Sequence, residues 1–153
     1  MSVAANLTPA QAQDIIYNFL RKAYGLGDQI AKIITAQSGH ETAGWTSNVY
    51  LTLNNCFGFG YEGGGNYYGY NDIESSVSDV VNWLSNHVPS FQNINDPGIY
   101  AQALKDNGYY TDAESTYENG IERWFNENLQ LAAGIGLAGI VGVGLLLYML
   151  LKK

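Results

Sequence analysis

The feature that most constrains this chain is an unbroken apolar run from Leu131 to Leu151, closed by Lys152 and Lys153. As a helix it would rise roughly 31 Å, about the hydrocarbon thickness of a bilayer. A domain of the remaining size seldom surrounds a helix that is apolar on every face. The run is therefore expected to be a carboxy-terminal transmembrane helix. Everything that can carry chemistry then falls in one segment of single-domain size, residues 1–128, with 129–153 as the anchor.

The body before that run narrows the function by exclusion. A net charge of -7, spread along the body, repels phosphates and argues against nucleic acid as a partner. The single cysteine, Cys56, allows no intrachain disulfide and too few thiolates for a structural zinc site. His40 and His87 are far apart in sequence and have no clustered partners, so neither a metal nor a cofactor is expected. Met1 to Leu7 has no basic residue and no long apolar stretch, so no secretory signal peptide is expected there.

The chain reads as mainly helical. Thr8 before Pro9 is a helix start, since the hydroxyl can accept a free amide hydrogen and proline lacks only a donor that the first turn never uses. Ile15, Ile16, Phe19, Leu20 and Ala23 follow at helical spacing. Gly25 to Gly27 breaks that helix, and Asp28 is expected to cap a second carrying Ile30, Ile33, Ile34 and Gln37. From Trp45 to Tyr70 the composition turns to Asn, Gly and Tyr, which predicts loop with short strands. A third helix is predicted from Ser75 or Ser76 to about His87, a fourth over Gly98 to Lys105, and a last from Asp112 to Ser115 onward with Tyr117, Ile121, Trp124 and Phe125.

Glu41 stands at the end of the second helix, on the stripe of Ile30 and Ile34. There a carboxyl is partly desolvated and lies at the negative end of the helix dipole. Both effects raise its pKa, as a general acid working near neutral pH requires. A carboxyl general acid commonly works with a second carboxylate that stabilises positive charge, attacks or activates water. Glu62, Asp72 and Glu74 are the candidates.

Ala36-Gln37-Ser38-Gly39-His40-Glu41-Thr42-Ala43-Gly44-Trp45 resembles the Ala-Gln-x-x-x-Glu-Thr-Gly signature of bacterial glucosaminidases, glycoside hydrolase family 73 of the lysozyme-like superfamily. Asn54-Asn55-Cys56-Phe57-Gly58 is similar to that family's Asn-Asn-x-Phe-Gly segment. Tyr70, Glu74 and Ser76 follow its Tyr-x-x-x-Glu-x-Ser lead into the next helix. Gly108-Tyr109-Tyr110-Thr111-Asp112, with Tyr117 after it, is similar to Gly-Tyr-Ala-Thr-Asp and a following Tyr. The four blocks occur in order from residue 36 to 117.

The resemblance implies cleavage of the glycan strands of peptidoglycan between N-acetylglucosamine and N-acetylmuramic acid, with Glu41 protonating the leaving oxygen. It prefers Glu62 as the second acid, on a loop that in the family forms a lobe over the cleft and is much shortened here. It places Asn55 on the cleft backbone or on substrate, Tyr109 and its neighbour Tyr110 in the substrate cleft, and Glu74 at the start of the third helix. Twelve tyrosines supply flat faces with a hydroxyl handle for sugars. His40 adjoins Glu41 in sequence, but adjacent helical residues face different directions, so a supporting or surface role is expected for it rather than catalysis.

The expected architecture is a mainly α, lysozyme-like α+β domain with a small loop or hairpin lobe, tethered by one transmembrane helix. The expected partners are peptidoglycan and, through residues 131–151, a lipid membrane. Gly134, Ala138 and Gly142 form a small-residue stripe along which two such helices could pack. Lys152 and Lys153 put the tail on the cytoplasmic side. The internal membrane of a bacteriophage virion, with wall cutting at entry, is the expected location, and a bacterial inner membrane is the alternative. A lytic transglycosylase using Glu41 alone, and an inactive wall-binding anchor, stay open as alternative functions.

Overall fold

The computed structural model describes residues 4–61, 64–111, 113–129 and 131. A short 3-10 turn, Ala4–Asn6, leads into six α-helices: α1 Pro9–Ala23, α2 Asp28–Glu41, α3 Asn48–Leu53, α4 Ile73–His87, α5 Pro97–Asp106 and α6 Glu114–Arg123. A second 3-10 turn, Phe91–Asn93, separates α4 from α5, and a π-type turn, Trp124–Asn128, follows α6.

Local chemistry sets most of these ends. Thr8 caps α1 reciprocally: its hydroxyl accepts from the Gln11 amide at 3.3 Å, and the Gln11 side chain accepts from the Thr8 amide at 2.9 Å. Asp72 starts α4 by accepting from the Ser75 amide at 2.8 Å, a few residues earlier than the predicted start at Ser75 or Ser76. The cap of α2 is Gly27 rather than Asp28. Asp28 sits one residue inside, where it accepts from Tyr17 at 2.5 Å and from Lys32 at 2.8 Å. Its carboxylate is thus spent on side chains and not on the backbone.

Helix α2 is the axis of the domain, with α1, α6, the π-type turn and the second 3-10 turn packed around it. Its residues from Ile33 to Gly39 are all buried, polar ones included. Gly39 is required by close approach. A β-carbon there would lie 2.8 Å from the Trp124 ring and 3.0 Å from the Trp45 ring. The two indoles meet edge to face at 5.2 Å against this bare stretch of backbone, and the Trp45 indole donates to the Ser38 hydroxyl at 3.1 Å.

Two expectations are corrected. The first is the fold class: the described residues are mainly helical and contain no strand, so the α+β reading with a hairpin lobe does not hold. Part of the stretch expected as loop and strand is helix α3, capped by Ser47 on the Tyr50 amide and closed by Asn54 in the left-handed region at φ 54°. Beyond it the two arms of the lobe meet through isolated main-chain bonds, Tyr68 amide to Phe59 carbonyl and Tyr70 amide to Leu53 carbonyl. Asparagine side chains make the other links. A ladder needs consecutive extended residues. Glycines at positive φ, 58 and 60 on one arm and 64 and 65 at the tip, prevent that run.

The second correction concerns the single-pass anchor and the membrane location built on it. Among the described residues no helix is long and apolar enough to cross a membrane. The longest, α1 and α4, have 15 residues each, short of the ~20 apolar residues that a span needs. Each also carries a polar face. Residues 132–153, with Gly134, Ala138 and Gly142, lie outside the described residues.

Candidate active site

Glu41 ends α2, so its side chain leaves the packed axis where the helix meets the irregular lobe. Together with His40 it lines a cleft of about 520 Å³ walled by Phe57 to Tyr61 and Tyr68 on one side, and by Gly108 to Thr111 and Tyr117 on the other. Trp83 of α4 also faces it. A groove of about 550 Å³ between α5 and α6 is lined by Asp96, Asp106, Glu114 and Glu118. Asp96 and Asp106 are exposed there, and Asp96 is spent as the cap of α5, accepting from the Ile99 amide at 3.0 Å.

The two oxygens of Glu41 have different surroundings. Oε1 accepts from the Tyr117 hydroxyl at 2.5 Å. Oε2 lies toward Gly58 of the cleft wall, where a β-carbon would stand 3.6 Å away. Gly58 has φ +70°, a conformation that costs glycine nothing and brings bare backbone up to the carboxylate. The Tyr117 hydroxyl itself accepts from Gln37 at 3.1 Å, and Gln37 accepts from Tyr100 at 2.7 Å. Burial first, and then the charge of Glu41, pushes the hydroxyls of Tyr100, Tyr109 and Tyr117 well above the ordinary tyrosine value. All three therefore stay protonated near neutral pH.

Asn55 is 1 % exposed and holds the lobe together. Its amide donates to the carbonyls of Phe59 and Tyr68, both at 2.9 Å, and its oxygen accepts from the Phe57 and Phe59 amides. All of its bonding capacity toward the lobe goes into shaping the cleft wall.

Tyr109 lies in the cleft, its hydroxyl on the Phe57 carbonyl at 3.0 Å and its ring edge to face with Phe59 and Trp83. Tyr110 stacks on Tyr117 at 3.9 Å, Lys105 lies over its ring, and its hydroxyl goes to the Ala101 carbonyl. Both faces of that ring are occupied. His40 meets Tyr117 edge to face at 5.0 Å.

Of the three second-acid candidates, Asp72 is the cap of α4, bonded to the amide and hydroxyl of Ser75. Glu74 sits in that helix's first turn, as the resemblance implies, and neither lines the cleft. Glu62 lies outside the described residues, and so does Asp112. Among the described residues no group of three or more His, Cys, Asp or Glu side chains could hold a metal ion.

Sequence reasoning did not assign Tyr117 to the carboxylate, nor Trp83 to the cleft. Tyr117 carried a signal, as the tyrosine that follows the Gly108 to Asp112 block. Trp83 carried none, because on α4 it lies beside Val77, Val80, Val81 and Leu84, which recur at helical spacing and are buried in the core.

The family described as glucosaminidase, mannosyl-glycoprotein endo-beta-N-acetylglucosaminidase, matches residues 18–130. No curated protein and no solved structure gives a significant match.

Proposed function

The chain belongs to the glucosaminidase family, and from that premise we propose that Glu41 is the general acid with which it opens its substrate. It is a peptidoglycan hydrolase, an endo-β-N-acetylglucosaminidase-like glycoside hydrolase. The observation that carries the assignment of Glu41 is its carboxyl in the aromatic cleft, one oxygen held by Tyr117 and the other turned toward the wall at Gly58.

In this reading the proton of Glu41 passes to the glycosidic oxygen as the bond from that oxygen to C1 breaks. The oxygen of a water molecule then bonds to C1, and the water's proton returns to Glu41, directly or by way of the second carboxylate and solvent, so Glu41 ends protonated for another cycle. Tyr109 and Trp83 offer ring surface for sugars in the same cleft. Asn55 acts through the backbone it holds. Glu62 is proposed as the second carboxylate, a reading supported by its neighbour Tyr61 in the cleft wall. Glu62→Gln is expected to slow wall hydrolysis about 10- to 100-fold, less than the same change at Glu41. A loss as large as that of Glu41→Gln would give the two carboxylates equal weight.

One observation favours a second reading. Among the described cleft residues Glu41 is the only carboxylate, and a lytic transglycosylase needs no other, because the substrate's own hydroxyl closes an anhydro ring in place of water. Borohydride reduction of the digested wall followed by mass spectrometry separates the two. We expect reduced N-acetylglucosamine at the new ends. Reduced N-acetylmuramic acid would indicate a muramidase, and an anhydro product with an indifferent Glu62 would indicate a transglycosylase.

A further inference from the structure

Two residues behind the cleft and one in its wall form a directed chain of hydrogen bonds that ends on the carboxylate. Tyr100 of α5 donates to Gln37 Oε1, Gln37 Nε2 donates to Tyr117, and Tyr117 donates to Glu41 Oε1. Tyr100 and Gln37 are each 0 % exposed, and neither lines the cleft.

The direction follows from what each group can do. A tyrosine hydroxyl has one proton, and the Gln37 amide has an oxygen end and a nitrogen end. If the Gln37 amide turned over, its nitrogen would face Tyr100 and its oxygen would draw the Tyr117 proton away from Glu41. The Tyr100 proton would then be buried without an acceptor, a costly state. Tyr100 therefore holds Gln37 in one orientation, and Gln37 leaves Tyr117 a single outlet for its proton.

We infer that Tyr100 is a positioning residue for catalysis, acting through Gln37 and Tyr117 to keep Oε1 of Glu41 an acceptor and its transferable proton on Oε2. When the carboxyl carries its proton, the oxygen that accepts from the Tyr117 hydroxyl is the carbonyl-type one. The acidic hydrogen then sits on the oxygen turned toward Gly58, where the glycosidic oxygen arrives. The inference rests on the reading of Glu41 as the acid.

The test uses the full chain on purified cell wall, with kcat and KM measured for Tyr100→Phe, Tyr117→Phe, the double variant and Glu41→Gln. Tyr100→Phe is expected to lower kcat about tenfold and leave KM within about twofold, because no substrate contact is lost. In the Tyr117→Phe background the same change is expected to cost less than about twofold, since the link it acts through is already gone.

An unchanged kcat in Tyr100→Phe, or an equal proportional loss in both backgrounds, overturns the inference while leaving Glu41 as the acid. Near-normal turnover of Glu41→Gln overturns the acid itself, and the positioning role falls with it. Circular dichroism checks folding. Should Tyr100→Phe be unfolded, Gln37→Met removes the same link and is held to the same outcomes.

Discussion

Glu41→Gln is expected to cut wall lysis by about a thousandfold, within the range that general acid catalysis contributes, while fold and wall binding persist. The amide has nearly the volume of the carboxyl, and its oxygen can still accept the Tyr117 proton that now reaches Oε1. The side chain should therefore stay in place with no proton to give. Clearing of a cell-wall suspension measures the loss, and co-sedimentation with insoluble wall measures retained binding. Activity within tenfold of the unmodified chain would remove Glu41 from the mechanism, because no other described residue of the cleft is a carboxylate.

The largest expected effect on stability is at Trp45→Ala. The indole is 2 % exposed, lies edge to face against Trp124, and reaches Ser38 with its only polar atom. Truncation leaves a cavity beside Gly39 and Trp124 and should cost about 3–5 kcal/mol, a large share of the ~5–15 kcal/mol that usually separates folded from unfolded. The turn that Trp45 closes begins directly after Glu41, with the Trp45 amide on the Thr42 hydroxyl at 2.8 Å, so activity should fall with stability.

Urea titration gives the shift directly, and the chain's single cysteine gives an independent reading. Cys56 is fully buried, and burial pushes its thiol up to about 12. At neutral pH it should react with a thiol reagent only as the chain opens. Earlier labelling of Cys56 in Trp45→Ala, at the urea concentration where the fluorescence of the remaining tryptophans also changes, is the expected pattern. An unchanged midpoint would mean that the two indoles do not brace the helix that carries Glu41.

The helix frame was legible because its signals are local. Thr8 with Pro9 marks α1, Gly25 to Gly27 separates α1 from α2, and the Ile30, Ile33, Ile34 stripe orients α2 so that Glu41 ends it on the buried side. Asp28 looks like a cap in sequence, but Gly27 takes that position, and the carboxylate goes to Lys32 one turn on and to Tyr17, eleven residues back on α1, a partner that local spacing does not reveal. The short helix α3 was hidden inside a glycine- and asparagine-rich stretch, where composition predicts loop and a single capping serine carries the contrary signal.

The sequence by itself determined the family blocks, the order of the main helices and the place of the Glu41 carboxyl at the end of α2, since each depends on residues within a few turns of one another. The tertiary structure alone decided what surrounds that acid. Tyr117, 76 residues from Glu41, and Tyr100, 63 from Gln37, reach the site only after α5 and α6 pack on each other and α6 packs on α2. Asn55 replaces the expected strand pairing for the same kind of reason. Its side chain can bridge two arms of a loop whose glycines forbid a ladder, and spacing along the chain does not reveal which backbone groups will come within its reach.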